Sequence, residues 1–415
     1  MKTRRFVIII ALLTLVLALA GGFTMLWRFF IFQAVYVGLS FLWLHLNASH
    51  IAGEVGGTRD YFQTGERFEE GFKFSNRSRM PTTLVEVSEG TDIPGYRNNL
   101  TFSLNSWGTN DWRTEVACRR RGKYSLGHVT AKVTDPLGLF SIKREYGKEH
   151  SIIVYPATLD LSFFDVLPRL EPGSSRRRWL ATENSANASR VREYISGDRL
   201  RSIHWHTTAH TGNLMVKEFD PDRTNVVFRD IWIVLDMQGS SQYGEGSETT
   251  EEYGVTIAAS LAKKYIENGK NVGFLTLGNQ PFMNLPETGE AQFQNIMYAL
   301  AMVKATGEEP VESLVMSQEE RFDTGTAIII ITAADIRRTG NTLGRIVQRG
   351  TTITTILLDA VSFGGKAAAV DIARGLIASG IHVYIVRRGV EITRALDNRF
   401  LYLPAFNPGI EEKSS

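Results

Sequence analysis

The chain has 415 residues, too many for one ordinary domain, and 43% of them are apolar, enough to build two or three real cores. Its 46 Lys and Arg against 44 Asp and Glu leave a formal charge of +2, which excludes a global field of the kind that draws nucleic acid. One cysteine, Cys118, excludes an intramolecular disulfide framework and a thiolate metal cluster, and fits a reducing compartment.

After Lys2, Arg4 and Arg5 comes FVIIIALLTLVLALAGGFTMLW, then the lone charge Arg28, then FFIFQAVYVGLSFLWLHL. Each uncharged stretch is close to the ~20 residues that cross a hydrocarbon layer, so 1–48 is expected to be a transmembrane helical hairpin with spans at about 6–26 and 29–46. The basic cluster belongs in the cytoplasm by the positive-inside rule, and two crossings return the chain there. The protein is therefore expected in the cell membrane with its remaining domains cytoplasmic. A secretory signal cleaved after ALA at Ala18–Ala20 is the competing reading, and the second apolar stretch would then act as a stop-transfer anchor.

From 52 to 158, runs such as RFEEGFKF, TTLVEVSE and HSIIVYP alternate with period two between Gly, Pro, Asn and Asp, which predicts a β-sandwich domain. Within it VTDPLGLF places Asp135, Pro136 and Gly138 in a turn followed by apolar residues that anchor it to the sheet. Cys118 falls in a predicted strand, as packing. Residues 159–224, with the run Arg176, Arg177, Arg178, read as a linker plus a patterned segment; the run suits a solvated surface or anionic headgroups. From 225 to 403 apolar strands beginning at IWIVLD alternate with amphipathic helices, which predicts a doubly wound α/β domain before a tail at 404–415. No internal repeat is visible.

Three of eight histidines, His204, His206 and His210, crowd into YISGDRLRSIHWHTTAH. On a strand His204 and His206 would share one face as a metal pair, with His210 as a third nitrogen and Trp205 turned into apolar packing. No carboxylate to orient the imidazoles can be assigned from the sequence.

The surrounding segment resembles the signature of the Domain of Unknown Function 58 family, through Arg192, Tyr194, Gly197, Asp198, Arg201, Ile203, Trp205, Ala209, Leu214, Val216, Lys217 and Glu218. In that family Asp, Lys or Arg, and Arg are usual where His204, His206 and His210 stand, so the resemblance implies that the histidines are not a metal set. RRGKYSLG and DPLGLFS match two further family regions, with Leu137 where Phe is usual. Gly197 and Asp198 read as a turn, and Arg192 as a carboxylate partner, which together would clamp the segment or face a partner.

The resemblance further implies a von Willebrand factor A-like, Rossmann-type final domain, whose first strand ordinarily ends in D-x-S-x-S and binds Mg²⁺. Here LDMQGSS supplies Asp236, Gln238 and Ser240, an amide in place of the middle hydroxyl, and Asp335 stands as the later acidic residue. Octahedral Mg²⁺ at about 2.0–2.1 Å is poorly served by the longer Gln, so a degenerate site is expected. The chain has no phosphate loop, H-E-x-x-H or G-x-S-x-G. No catalytic residue is assigned. The apolar hairpin and the lack of a catalytic constellation point to a membrane-anchored, non-enzymatic interaction protein, and the resemblance implies that it works with a MoxR-type AAA+ ATPase in complex assembly or maturation. The alternative is a metal-dependent hydrolase using His204, His206 and His210, or Asp236.

Overall fold

A computed structural model describes residues 2–21, 24–57, 59–166, 190–194, 203–218, 228–322 and 325–398. The chain divides into two units, Met1–Ala157 with Met297–Met302, and Thr158–Ile296 with Val303–Ser415.

The first unit opens with helices α1 (Lys2–Gly21) and α2 (Thr24–Ala48), which pack together; the Thr14 hydroxyl lies 2.9 Å from Oε1 of Gln33. Of these, α2 is long and apolar enough to cross a membrane, and the apolar stretch of α1, Phe6–Gly21, is shorter. The break falls earlier than the sequence reading placed it. The described part of α1 ends at Gly21, a poor helix former, rather than at the charge, and Trp27 and Arg28 lie in α2.

Ten strands follow: β1 (Ile51–Val55), β2 (Tyr61–Gln63), β3 (Arg67–Asn76), β4 (Thr82–Gly90), β5 (Asn99–Leu104), β6 (Thr109–Ala117), β7 (Gly122–Leu126), β8 (His128–Thr134), β9 (Ser141–Tyr146) and β10 (His150–Tyr155). They form three sheets, ordered β1-β3-β6, β2-β10-β7 and β5-β4-β8-β9. Phe72 and Phe74 of β3, Val85 and Val87 of β4 and Val129, Ala131 and Val133 of β8 share one core, so two sheets meet face to face. Leu44 and Ala48 of α2 are buried in that same core. The helix therefore ends as part of the β domain. A second core gathers Phe62, Val116, Cys118, Leu126, Ile152 and Val154, so Cys118 is buried as packing, although it lies one residue past β6 rather than in a strand.

In the second unit β11 (Arg190–Glu193) pairs antiparallel with β12 (Met215–Glu218), and helix α3 (Trp205–Thr211) lies between them in sequence. Then come β13 (Asp230–Leu235), a small ribbon of β14 (Gly244–Glu245) and β15 (Glu248–Thr249), α4 (Thr250–Glu267), β16 (Asn271–Leu277), β17 (Pro281–Glu287), α5 (Glu290–Met302), α6 (Val311–Ser317), β18 (Thr326–Thr332), α7 (Gly340–Gln348), β19 (Thr352–Leu358), α8 (Ala369–Ala378), β20 (His382–Val386) and α9 (Ile392–Ala395).

The main sheet has the order β17-β16-β13-β18-β19-β20, and only the edge strand β17 runs antiparallel. Buried apolar runs such as TAIIIIT in β18 need cover on both faces. Side chains of α6, α7 and α8 join Trp232, Val234, Ile328 and Ile330 in one core. On the other face α4 approaches so closely that a Cβ at Gly254 would stand 3.0 Å from Leu235. Connections leave β13 toward β16 on one side, and the later strands build out from β18 on the other. The junction of β13 and β18 is therefore the point where the winding reverses.

Candidate functional site

Ligand crevices in such sheets open at the carboxyl ends of the strands, at that reversal point. Leu235 pairs with Ile331 across β13 and β18, so the next residues, Asp236 and Thr332, emerge side by side there. The Thr332 hydroxyl donates to Oδ2 of Asp236 at 2.6 Å and the Ser241 hydroxyl donates to the same oxygen at 3.1 Å. The Gln238 N–H donates to Oδ1 at 2.9 Å. Around this carboxyl the loop is pinned further. The Gln242 amide donates to the Asp236 carbonyl at 3.0 Å, and Thr250 donates to Oε1 of Gln242 at 2.6 Å. Asp236 is only 4% exposed; burial raises its pKa, while the bonds from Thr332, the Gln238 N–H and Ser241 pull it down.

Of the residues expected as metal ligands, Asp236 is buried at this point, whereas Ser240 and Asp335 are exposed. Both Asp335 oxygens engage Arg337, one of them 2.8 Å from its Nε. The hydroxyls on Asp236 come from Ser241 and Thr332, neither of which the sequence reading selected. The Gln238 side chain turns to the Glu308 carbonyl at 3.1 Å. The Asp236 carboxyl takes the Thr332 hydroxyl and the Gln238 N–H, the Ser241 hydroxyl is shared between it and the Gln238 carbonyl at 2.9 Å, and Asp335 is engaged by Arg337, so the expected ligands as placed do not fit an octahedral Mg²⁺ cage. The chemistry of this cluster is to hold the loop after β13 in one shape at the mouth of the crevice.

The histidines sit on a helix, not a strand. His204 caps α3, its Nδ1 accepting from the Thr207 N–H at 3.2 Å and lying 2.7 Å from the Thr207 hydroxyl. Rings of His204 and His206 are 6.2 Å apart and those of His206 and His210 are 6.5 Å apart. Among the described residues no group of three or more His, Cys, Asp or Glu is placed to hold a metal ion. The helix also reverses the expectation for Trp205, which is 66% exposed rather than packed.

Of the patterned segment, Ile203 bridges Val216 and both are buried, and the Tyr194 N–H donates to the Leu214 carbonyl at 2.8 Å. Arg192 lies opposite Val216 and Lys217 opposite Val191 in the β11–β12 register. Ala209 and Leu214 are exposed. Gly197, Asp198 and Arg201 lie outside the described residues, as does the Arg176–Arg178 run.

Two further polar arrangements lie in the first unit. Asp135, 2% exposed, accepts from the Ser40 hydroxyl of α2 at 2.5 Å and from the Leu137 and Phe140 N–H groups at 3.2 and 2.7 Å. Glu70 of β3 is 1% exposed, and neither of its oxygens meets a donor. Glu89 of β4 is close enough for its charge to act on it. Burial, then the Glu89 charge, raises the Glu70 pKa to about 8. Glu89 itself accepts from the Tyr96 hydroxyl at 2.9 Å and the Gly127 N–H at 3.1 Å.

Residues 190–354 match the model of a family described as a protein of unknown function, DUF58. The uncharacterized protein YeaD of Bacillus subtilis (strain 168) is 24% identical over 219 residues, 53% of this chain and 50% of the relative. The chain thus spans about half the length of the curated relative it matches. Among solved structures, the CARDB domain of a Pyrococcus furiosus protein in complex with di-metal ions is 15% identical, covering 25% of this chain and 86% of that one, with a TM-score of 0.19. The Pseudomonas fluorescens alkylpurine DNA glycosylase AlkC, bound to DNA with an abasic site analog, is 18% identical, covering 24% of this chain and 31% of that one, with a TM-score of 0.17. Scores this low leave both without bearing on the chemistry of this chain.

Proposed function

We propose, from the premise that this chain is a member of the DUF58 family, that it is a membrane-anchored, non-enzymatic interaction protein. In this reading α1 and α2 form a two-span hairpin, and Lys2, Arg4 and Arg5 hold the amino terminus, and with it the remaining domains, on the cytoplasmic side. The observation that carries it is the contrast along α2. Phe29, Phe32, Val35 and Leu39 are half or more exposed, whereas Leu44 and Ala48 are buried in the β-domain core. Exposed apolar side chains on a helix rooted in a folded domain are what a lipid solvent covers.

The final domain is read as von Willebrand factor A-like on its strand order, with the loop held by Asp236 as a docking rim for a protein partner of the MoxR-type AAA+ class. Sodium carbonate extraction of membranes tests the anchor, and release of the full chain into the soluble fraction would refute it. Co-purification of the detergent-solubilised chain with an ATP-loaded MoxR-type ATPase tests the partner; the expected result is a nucleotide-dependent complex, and its absence would refute that assignment. Stoichiometric zinc in the purified chain, lost in the His204→Ala, His206→Ala double variant, would instead favour the hydrolase.

A further inference from the structure

The turn Asp135–Phe140 joins β8 to β9 and lies against α2. Phe140 meets Phe41 edge to face at 5.5 Å, and Asp135 takes the Ser40 hydroxyl. Its tip reaches further along the helix: Leu137 and Leu139 line a cleft of about 250 Å³ with Val7, Gln33, Tyr36 and Val37. Residues 33–37 lie four to eight positions from Phe41 toward the α1–α2 connection, which at 1.5 Å per residue is about 6–12 Å of helix. If α2 crosses a bilayer, that distance carries the tip below the level of Phe41 and into the boundary between headgroups and acyl chains.

A turn entering such a medium needs its own backbone polar groups satisfied, because lipid offers no partners. This turn meets that need for three of its N–H groups. Pro136 has no N–H to satisfy; Leu137 and Phe140 donate to the Asp135 carboxyl, and Gly138 donates to the Asp135 carbonyl at 2.9 Å. The Asp135 carboxyl, in turn, is 2% exposed and closed off by Ser40. The exposed face of the tip consists of Pro136 and Gly138 beside the half-buried Leu137, which shares its cleft with Tyr36 and Val37 of α2.

We infer that the Asp135–Phe140 turn is a membrane foot: it inserts Pro136 and Leu137 among the acyl chains of the bilayer, and a lipid chain occupies the cleft between it and the two helices. This rests on the hairpin reading and adds a third point of contact, which fixes the height of the β domain over the bilayer. Depth measured by nitroxide relaxation separates the two claims. The full chain, reconstituted in phosphatidylcholine and phosphatidylglycerol vesicles, is labelled at Leu137→Cys and, separately, at the exposed Pro136→Cys; the native Cys118 is buried and stays unlabelled. Leu13→Cys on the exposed face of α1 is the control. The expected result is collision with oxygen several-fold above collision with a water-soluble nickel chelate at all three positions, and a depth of about 5–10 Å at the turn. A water-exposed turn with a lipid-exposed position 13 overturns the foot alone. Water exposure at all three overturns the hairpin as well.

Discussion

Replacing Glu70 by Gln is expected to make the β domain more stable at alkaline pH and to abolish a pH dependence that the native chain carries. Glu70 is buried opposite Glu89 without a donor, and its pKa is raised to about 8 from an ordinary value of 4.5. A group whose folded pKa is raised binds more protons when folded, so stability falls as pH rises. For this acid the stabilisation is complete below the unfolded value and is lost progressively between pH 4.5 and about 8. At 1.36 kcal/mol per unit the loss is at most about 5 kcal/mol, an upper bound because the Glu70 and Glu89 titrations are coupled. Tyr96, whose pKa is also raised by burial and by the Glu89 charge, remains neutral throughout this range and keeps donating to Glu89. Amide hydrogen exchange of peptides covering β3 and β4, corrected for the intrinsic pH dependence of exchange, reads this locally. Native protection should drop from pH 5 to pH 9, and Glu70→Gln should flatten the profile. A flat native profile, or an unchanged slope in the variant, would refute the raised pKa of the buried Glu70.

Three other perturbations have defined outcomes. Thr332→Val removes a 2.6 Å donor from the ionised form of Asp236, so its carboxyl pKa should rise further by infrared titration, and the loop from Asp236 to Ser241 should lose about 1.5–3 kcal/mol of exchange protection. Lys264 of α4 donates to the carbonyls of Leu161, at 2.9 Å, and of Phe164; Lys264→Met should free residues 158–166 to proteolysis while leaving exchange in β13 and β18 unchanged. His204→Ala deletes the cap of α3 and should cost that helix about 1 kcal/mol in exchange, with no change in metal content by elemental analysis.

The alternation of apolar strands and amphipathic helices after residue 225 carried the doubly wound sheet, because burial on both faces forces long apolar runs that no other element needs. The buried acid was legible too. In RFEEGFKF, Glu70 shares parity with Phe68, Phe72 and Phe74, so period two places it on the inner face; what the sequence could not show was that Glu89, on another strand, would lie opposite. Thr332 was hidden for the same reason, since 96 positions separate it from Asp236 and only strand register joins them. Ser241 replaced Ser240 because a short 3-10 turn over Gly239–Ser241 rotates the second hydroxyl inward, and a fixed-spacing motif assumes an ordinary loop. The histidines misled because H-x-H suggests a strand, whereas an imidazole that accepts from the backbone three residues on starts a helix.

The outer border of the main sheet has a consequence for how the molecule meets its neighbours. β17 is the terminal antiparallel strand, and two of its seven positions, Pro281 and Pro286, lack an amide hydrogen. A stranger's backbone laid alongside would find gaps in the ladder it needs, so growth of the sheet by recruiting another chain is frustrated on that flank. Recognition there falls to side chains such as Met283 and Leu285, both exposed, and a crowded cell can press many copies against one another without zippering them into fibres along this edge.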